Sequence, residues 1–316
     1  MKIVLKTISG IEYEPEEITE INFTRTAGVA CDSICLKFKS PDNCDEIVTV
    51  KALNAGEMIF NGYCDNQRIR EDGGGYEVYI YARSSASILV DNEAEPFTYN
   101  MPTANQLCFT FARPFGFSGN LPVIESKEKY EVTKGTSCYG AISGFVSMAV
   151  GKPIYISPQN RIQLLEKTED IEDLGKYDVL SAATVINRSE PLTEVRFKKT
   201  SSASGYRLHM RAQAQQDFNF NERVRYVNLS SLPQWQREYT VLKTLKNSFE
   251  DYRTLEVTVA GYVSKPLLQR FSYRSGIGVY EEYILTEKEY TYSASGERTR
   301  LTLKKEIDIK EITYVD

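Results

Sequence analysis

Two residues in this sequence, His209 and Cys138, have side chains suited to acid-base or nucleophilic catalysis. His209, the single histidine, lies between Leu208 and Met210 in a predicted strand, and no motif supplies the partner that a histidine base needs. Cys138 begins a predicted helix, where the helix N-terminus favours the thiolate, but no motif pairs it with His209. We therefore interpret both as structural residues.

Two glycine-containing runs resemble functional motifs only in part. The run from Gly140 to Gly144 contains Ser143, but a nucleophile elbow places its serine on a strand-to-helix turn, and this run lies inside a predicted helix. We expect these small residues to let the helix pack closely on a neighbour. Gly151 and Lys152 lack the spacing of a phosphate-binding loop and precede a proline.

Two pairs of adjacent carboxylates are the remaining candidates for acid-base chemistry or for binding a hard cation. Glu16-Glu17 and Glu281-Glu282 are each predicted to lie on a strand, where neighbouring side chains point in opposite directions. A shared site at either pair is therefore not expected. The sequence predicts no catalytic residue, no cofactor-binding residue and no metal ligand.

Composition excludes several classes of protein. The 316 residues include 43 Asp plus Glu and 38 Lys plus Arg, giving a net charge of -5, whereas a nucleic-acid clamp needs concentrated positive charge. No stretch approaches the roughly 20 apolar residues of a membrane span, and the N-terminal apolar run is too short for a secretory signal. Six cysteines without metal-ligand spacing indicate reduced thiols. We expect a soluble, non-secreted chain in a reducing cytoplasm.

The elements that would position any site are mainly strands. From residue 57 to residue 83 the sequence predicts a long hairpin that turns at Gly73, Gly74 and Gly75, and residues 76–83 alternate as in a half-buried strand. Further strands with turn signals at short intervals precede it. These patterns predict a first β-barrel domain over residues 1–90.

The pattern changes after the hairpin. A helix capped by Thr103 and a second helix capped by Ser137 and stopped at Gly151 predict a small α/β domain over residues 91–175. Strands resume over residues 176–316, interrupted by a helix with Pro233 in its first turn, and predict a second β-barrel domain. The expected fold class is mainly β with an α+β insert, in which two β-barrel domains flank the α/β domain.

Aromatic residues are abundant, with 21 Tyr, 14 Phe and one Trp. Two predicted loops, residues 95–102 and 115–120, are unusually aromatic. Either they cap their own domain or they form part of a subunit interface, since tyrosine suits surfaces that are apolar on one side and wet on the other. The sequence leaves both alternatives open.

Two segments resemble a known family. Residues Phe60 to Asp65 (FNGYCD) and Arg83 to Glu93 (RSSASILVDNE), followed by Pro-Phe-Thr-Tyr and a short helix, resemble the central baseplate hub proteins of contractile tails. This family includes hub proteins of contractile phages, of defective-phage particles and of R-type bacteriocins, and the front part of type VI secretion spike proteins. The likeness covers nearly the whole chain.

The resemblance implies a structural role without catalytic residues or cofactors. It implies a homotrimer whose six barrels surround a channel, with the tail tube protein on one face, the central spike protein on the other, and further baseplate proteins as partners. It implies no membrane partner and no specific nucleic-acid binding. Such a chain would be assembled in the bacterial cytoplasm and become part of the tail baseplate. Without a long C-terminal extension, we expect the spike to be a separate polypeptide.

Two alternatives remain at this stage. A tail-associated cell-wall hydrolase would need a positioned acid or a metal cluster, and clearing in a zymogram would favour it. A receptor-binding or carbohydrate-binding module would be expected to expose a tryptophan, whereas Trp235 lies at helical spacing among predicted core residues.

Overall fold

The computed structural model describes residues 1–71, 73–119, 121–125, 129–200, 205–211, 221–232 and 234–306. Pro233 and the side chain of Trp235 lie outside the described part of the protein. The predicted place of Pro233 in the first turn of a helix and of Trp235 in the core therefore stay predictions. Within the described residues the protein is mainly β, with 21 strands, four α-helices and two short 3-10 helices. The mainly β class and the antiparallel sheets predicted from the sequence are confirmed. None of the described helices has the combination of length and apolar character needed to cross a membrane.

The bounds of the elements are as follows. The strands of the N-terminal half are β1 (Lys2–Thr7), β2 (Glu12–Tyr13), β3 (Glu17–Thr26), β4 (Ser33–Ser40), β5 (Ile47–Asn54), β6 (Glu57–Glu71), β7 (Tyr76–Ser84), β8 (Phe97–Asn100), β9 (Ser118–Gly119), β10 (Lys129–Val132), β11 (Ile154–Ile156) and β12 (Arg161–Leu164). Those of the C-terminal half are β13 (Ile171–Asp173), β14 (Val179–Ile186), β15 (Glu194–Lys198), β16 (Leu208–Arg211), β17 (Val224–Asn228), β18 (Arg253–Ala260), β19 (Arg270–Ser275), β20 (Gly278–Ser293) and β21 (Gly296–Lys304). The helices are α1 (Ser87–Asp91), α2 (Ala104–Phe111), α3 (Cys138–Val150) and α4 (Gln234–Ser248).

The chain divides into two compact units. The first contains Met1–Thr168, Thr258–Leu268 and Thr286–Leu301, and the second contains Glu169–Val257, Gln269–Leu285 and Thr302–Asp316. The boundaries pass through β18, β20 and β21, so each unit contains part of these strands. The predicted three-domain division at residues 90 and 175 stays a prediction.

The hairpin of β6 and β7 is confirmed, with Ile69 opposite Val78 and Glu71 opposite Tyr76. Gly62 is essential to it, because a Cβ at this position would lie 2.1 Å from the carbonyl oxygen of Arg83 on the neighbouring strand. The register shifts after Cys64, as in a β-bulge. The glycine in the predicted signature therefore has a steric reason.

The first unit has two apolar cores. The β core lies inside the sheet around Phe23 and Phe60, whose rings pack edge to face at 6.0 Å. The α/β core lies between α2, α3 and the short strands, and includes Phe111, Phe145 and Ile142. Separate cores allow each part to bury its own apolar surface.

The helices of the α/β part begin and end at the predicted signals. The Thr103 side chain accepts a hydrogen bond from the Gln106 amide in a capping box, and the Ser137 side chain accepts one from Gly140. Gly151 ends α3 with a φ of 67°. Helix α2 ends at Phe111 and a 3-10 turn follows, because Pro114 has no backbone N–H to continue an α-helix.

In the second unit a three-stranded sheet with the order β16-β15-β17 packs against α4. Val195 and Phe197 of β15 point toward the helix, and Val241 and Leu245 of α4 point toward the sheet, so these four side chains share one core. The predicted helix within this region is confirmed. Because β15 alternates apolar and charged residues, its other face carries Glu194 and charged neighbours.

The described strands form no closed barrel in either unit. Among the described strands of the first unit, the pairing order β18-β21-β20-β3-β4-β7-β6-β5-β1-β2 ends without a bond between its first and last members. In the described part of the second unit, the order β14-β18-β21-β20-β19-β13 is likewise open. The terminal strands β2 and β13 contain two and three residues, too few to continue a ladder and close a ring.

Candidate functional site

The signature segments meet at a clamp formed by Arg83. Its Nε donates to Asp65 Oδ2 at 2.6 Å, and its Nη1 and Nη2 donate to the two carboxylate oxygens of Asp91 at 2.9 and 2.7 Å. Asp65 lies at the bulge in β6, and Asp91 is the last residue of α1. The guanidinium thus ties two strands and a helix together with charge-assisted hydrogen bonds. The two segments that carry the family resemblance therefore contain residues, Asp65, Arg83 and Asp91, that hold the local structure together.

A buried charge cluster lies elsewhere in the same unit. Arg25 donates from Nε and Nη2 to Asp32 Oδ2 at 2.9 and 2.7 Å, and from Nη2 to the carbonyl oxygen of Ile59 at 2.7 Å. The guanidinium lies 5.3 Å from the ring centroid of Tyr155. Burial opposes the charge on Arg25, but the Asp32 carboxylate outweighs it and raises the pKa of Arg25. Burial raises the pKa of Asp32, and the charge and hydrogen bonds of Arg25 oppose that rise. Burial thus disfavours charge on both partners, and their mutual contact favours it.

Lys288 is a second buried cation near this pair. Its Nζ donates to the carbonyl oxygens of Val263 and Lys265 at 2.9 and 3.1 Å and lies 4.8 Å from the ring centroid of Tyr262. Burial, followed by repulsion from Arg25, lowers the pKa of Lys288 to about 7. Its hydrogen bonds hold the segment after β18, which has no regular structure of its own. The role these contacts support is structural.

A cavity of about 580 Å³ adjoins the Arg25 side of the cluster. Its ionisable lining residues are Arg25, Tyr155 and Glu166, and the remainder of its lining is Pro122, Gln163, Leu164, Leu165, Pro266 and Leu267. Arg25 is paired with Asp32, Glu166 forms an ion pair with Lys152, and burial raises the pKa of Tyr155. The lining thus has no carboxylate and base placed to exchange a proton at neutral pH.

His209 has a carboxylate partner that sequence reasoning missed. In the second unit, His209 Nδ1 lies within hydrogen-bond distance of Glu194 Oε1, and Arg196 Nε donates to the same oxygen at 2.7 Å. Glu194 and His209 lie on adjacent strands, where Arg196 of β15 is directly opposite His209 of β16. The alternation of charged residues in β15 was the signal available, but it does not reveal the register with β16. One oxygen of Glu194 thus contacts both the imidazole and the guanidinium. These contacts connect the side chains of β15 and β16, which is a structural role.

Cys138 does not have the lowered pKa that a helix N-terminus would favour. It is buried as the first residue of α3, and burial raises the pKa of its thiol. Loss of hydration outweighs the effect of the helix N-terminus on the pKa at this position. The structure therefore gives the thiol no means of activation.

The glycine-containing runs have the structural roles predicted for them. A Cβ at Gly144 would lie 3.3 Å from the hydroxyl of Tyr130, which donates to the carbonyl oxygen of Ala141 at 2.7 Å. This close approach of α3 to β10 explains the small residues around Ser143. Lys152, after the glycine that ends α3, pairs with Glu166 on the surface.

The glutamates of both carboxylate pairs are exposed, and one glutamate of each pair faces a basic residue. Glu17 pairs with Lys39 at 3.2 Å, and Glu282 lies 3.7 Å from Arg270. Glu282 has a φ of 58°, so the argument from alternating strand directions does not apply there. Within the described residues, His, Cys, Asp and Glu side chains form no group suited to hold a metal ion.

Some side chains of the two aromatic segments, residues 95–102 and 115–120, pack within their own domain, and others are exposed. Phe117 is buried in the α/β core and Tyr99 packs against Phe111, as expected of residues that cap their own domain. Phe97 and Met101 are exposed. Most of the first segment is strand β8 rather than the predicted loop, because residues 97–100 pair with β10. This strand and the residue after it thus present apolar side chains that the described residues leave exposed.

Solved structures share this fold. A tail protein of 43 kDa from prophage MuSo2 of Shewanella oneidensis superposes with a TM-score of 0.78 at 15% identity, covering 96% of this chain and 97% of that chain. The tail protein from Neisseria meningitidis MC58 gives 0.75 at 18% identity, covering 96% of each chain. No protein-family model and no curated protein sequence matches the chain.

A third solved structure is the c3393 protein of E. coli, a component of the type VI secretion system that exhibits structural similarity to T4 bacteriophage tail proteins gp27 and gp5. It superposes with a TM-score of 0.60 at 8% identity, covering 100% of this chain and 80% of that chain. The resemblance predicted from the Phe60 to Asp65 and Arg83 to Glu93 segments is confirmed at the level of the fold, which is that of phage tail proteins and of a type VI secretion component.

Proposed function

We propose that this protein is a structural baseplate hub of a contractile tail or tail-like particle. The observation that carries the proposal is the similarity of fold to two tail proteins along 96% of the chain. Similarity over the whole length supports a role for the whole chain rather than for one module. The structural connections at Arg83, Asp32 and Glu194 are compatible with this role.

The proposed assembly is a homotrimer with pseudo-six-fold character. Each chain contributes two β modules, over residues 1–90 and 176–316, separated by an α/β module over residues 91–175. Three copies then present six β modules around a channel, so that one face matches a six-fold tail tube and the other a three-fold spike. The structural similarity of c3393 to gp27 and gp5 supports the comparison with a hub.

The proposed partners are the tail tube protein, the central spike protein and other baseplate proteins. The chain would be assembled in the bacterial cytoplasm and become part of the baseplate. It would bind neither membrane nor a specific nucleic acid, since its net charge of -5 does not favour phosphate contacts. We assign it no enzymatic activity, and clearing of a cell-wall zymogram by the purified chain would contradict that assignment.

The subunit contact in this proposal includes the exposed residues of β8 and of the residue that follows it, Phe97 and Met101. Phe97 and Met101 are apolar and uncovered within the described residues, and buried aromatic side chains contribute strongly to interfaces. Phe97→Ser should therefore reduce the fraction of trimer. Ile8→Ser is the matched control, because Ile8 is also an exposed apolar residue of the first unit.

Light scattering combined with negative-stain imaging tests the assembly. We expect a mass of three chains of 35.9 kDa and rings with a central channel. Loss of the ring in Phe97→Ser, with the ring intact in Ile8→Ser, would place the contact at β8. A protein that stays a single chain at all concentrations and in the presence of a tail tube protein would overturn the hub proposal.

A further inference from the structure

One wall of the cavity beside Arg25 is the outer face of the hairpin of β11 and β12. In this antiparallel pair, Tyr155 of β11 lies directly opposite Gln163 of β12. Ile154 and Ile156, on either side of Tyr155, are buried in the α/β core. Because alternate residues of a strand point to opposite faces, Tyr155 and Gln163 point away from that core, and both line the cavity.

The guanidinium of Arg25 is held in place, but one of its nitrogens is unused. Nε and Nη2 donate to Asp32 and to the carbonyl oxygen of Ile59, and the ring centroids of Phe23 and Tyr155 each lie 5.3 Å from the guanidinium carbon. Among the described residues Nη1 has no acceptor, and it is not sealed within the protein. The side chain is only 12% exposed and lines the cavity. Nη1 is therefore a fixed donor that opens on the cavity.

Tyr155 and Gln163 provide two further polar groups at the same place. Neither the Tyr155 hydroxyl nor the Gln163 amide has a hydrogen-bond partner among the residues that the structure describes. Burial raises the pKa of Tyr155, so its hydroxyl stays protonated and can donate. Gln163 can both donate and accept. A few convergent polar groups in a largely apolar pocket are typical of a ligand-binding site.

The rest of the lining is mostly apolar. It consists of Leu164, Leu165, Leu267, Pro122 and Pro266, together with Glu166. Water beside such walls is displaced favourably by an apolar group. The volume of about 580 Å³ is within the range of pockets that bind small organic ligands.

The charges around the cavity favour a neutral ligand. Arg25 is already paired with Asp32, and Glu166 is paired with Lys152. A ligand carboxylate would place another anion beside these two acidic residues, and charge is disfavoured where burial already raises the pKa of Asp32. The carbonyl oxygen of an amide can accept from the free donors without adding charge.

We propose that this cavity binds a neutral amide that carries a branched apolar group. The carbonyl oxygen accepts hydrogen bonds from Arg25 Nη1 and the Tyr155 hydroxyl, and the amide N–H donates to the side-chain oxygen of Gln163. The apolar group lies against the leucines and prolines. A small amide and an apolar residue of a polypeptide offer the same chemistry. The site lies within the first unit and does not depend on the proposed hub.

Titration of the full chain with isocaproamide tests the site, followed by NMR of labelled leucine methyl groups. The methyl resonances of Leu164, Leu165 and Leu267 should shift, because these side chains line the cavity. Isocaproate has the same branched group but an ionised carboxylate. It should bind more weakly by about tenfold or more, because the site would have to bury an additional charge.

Two variants test the polar contacts while leaving the buried pair of Arg25 and Asp32 intact. Tyr155→Phe keeps the ring beside the guanidinium and removes the hydroxyl, and Gln163→Leu removes the amide. Each should weaken the binding of isocaproamide by roughly 2- to 12-fold, the range for one neutral hydrogen bond. Tyr63→Phe is the matched control, because Tyr63 is 37% exposed in the same unit and lies outside the cavity lining. Circular dichroism checks that each variant is folded.

A capped tripeptide, acetyl-Gly-Leu-Gly-amide, distinguishes the two sources of the ligand. Tighter binding than isocaproamide would identify a polypeptide segment, and equal or weaker binding would identify a small amide; both results support the site.

Three results would overturn the proposal: no shift of the three leucine resonances, tighter binding of isocaproate than of isocaproamide, or an affinity unchanged in both Tyr155→Phe and Gln163→Leu. Because the titration does not measure the mass of the assembly, its failure would leave the hub proposal to its own test.

Discussion

Asp32 in the first unit and Glu194 in the second are both buried carboxylates that accept hydrogen bonds from an arginine. In the first unit the arginine, Arg25, also donates to a backbone carbonyl. In the second unit the arginine, Arg196, shares a single carboxylate oxygen with His209. The two sites have similar chemistry but differ in where the cation lies.

That difference is one of exposure. The side chain of Arg25 is 12% exposed, and that of Arg196 is 31% exposed. When a carboxylate is removed, an exposed guanidinium can turn to water, whereas a buried one remains a charge without a partner. The energetic importance of each carboxylate is therefore set mainly by the burial of its cation.

The largest effect is expected from Asp32→Asn. The substitution preserves shape but removes the negative charge beside Arg25, so the free energy of unfolding should fall by about 3–5 kcal/mol. Urea unfolding followed by circular dichroism measures it. The double variant Arg25→Met with Asp32→Asn should recover part of the loss, because it also removes the buried positive charge. A loss below about 1 kcal/mol for Asp32→Asn would show that water reaches Arg25.

A smaller effect is expected from Glu194→Gln. The amide oxygen can still accept a hydrogen bond, and Arg196 can be hydrated, so the loss should be about 1–3 kcal/mol. The same unfolding measurement gives the value. Glu17→Gln, in an exposed ion pair with Lys39, is the control and should change stability by less than about 1 kcal/mol. If Glu194→Gln proved as costly as Asp32→Asn, exposure of the cation would not be the deciding factor.

Local elements of this fold could be predicted from the sequence because their signals are local. Thr103, Ser137 and Gly151 lie where caps were expected, and the alternation over residues 76–83 predicted β7. The described strands do not form the predicted closed barrels. Closure could not be predicted from local signals, because it depends on which strands meet at the ends of the sheet. Strand length at β2 and β13 decides that, and no periodicity reveals it.

The charge clusters were beyond sequence reasoning for the same reason. Arg25 and Asp32 are close in the chain, but Lys288 joins them from a strand more than 250 residues away. Glu194 and His209 meet through the register of β15 and β16, which a one-residue shift would abolish. Alternation identifies which residues share a face of a strand and leaves open which strand lies beside it.

The pH dependence of the free energy of unfolding tests the buried cluster of the first unit through Lys288. Its folded-state pKa of about 7 lies below the ordinary value of 10.5, so between these values the unfolded chain binds more protons than the folded chain. Stability due to this group should therefore rise with pH, by at most about 1.4 kcal/mol per unit. Lys288→Met should remove that slope between pH 7 and 9.

The charged and titratable groups that act on Lys288 are Arg25, Asp32, Glu57 and Tyr262. Asp32 and Glu57 favour its protonated form, and Arg25 opposes it. Lys2→Met, at an exposed ion pair, is the control and should keep the slope of the wild type. Equal slopes in the wild type and Lys288→Met would mean that Lys288 stays protonated through this range.

The smallest effect is expected from His209→Ala. The imidazole bonds a carboxylate oxygen that also accepts from Arg196, so Glu194 keeps a partner when His209 is lost. The free energy of unfolding should fall by about 0.5–1.5 kcal/mol, the value of one hydrogen bond between side chains that remain otherwise satisfied. Thermal unfolding of His209→Ala and of Glu194→Gln with His209→Ala measures it, and the second substitution should add little to the loss from Glu194→Gln alone. Full additivity would mean that His209 stabilises the unit through contacts other than Glu194, and the parallel with Asp32 would then hold for the arginine alone.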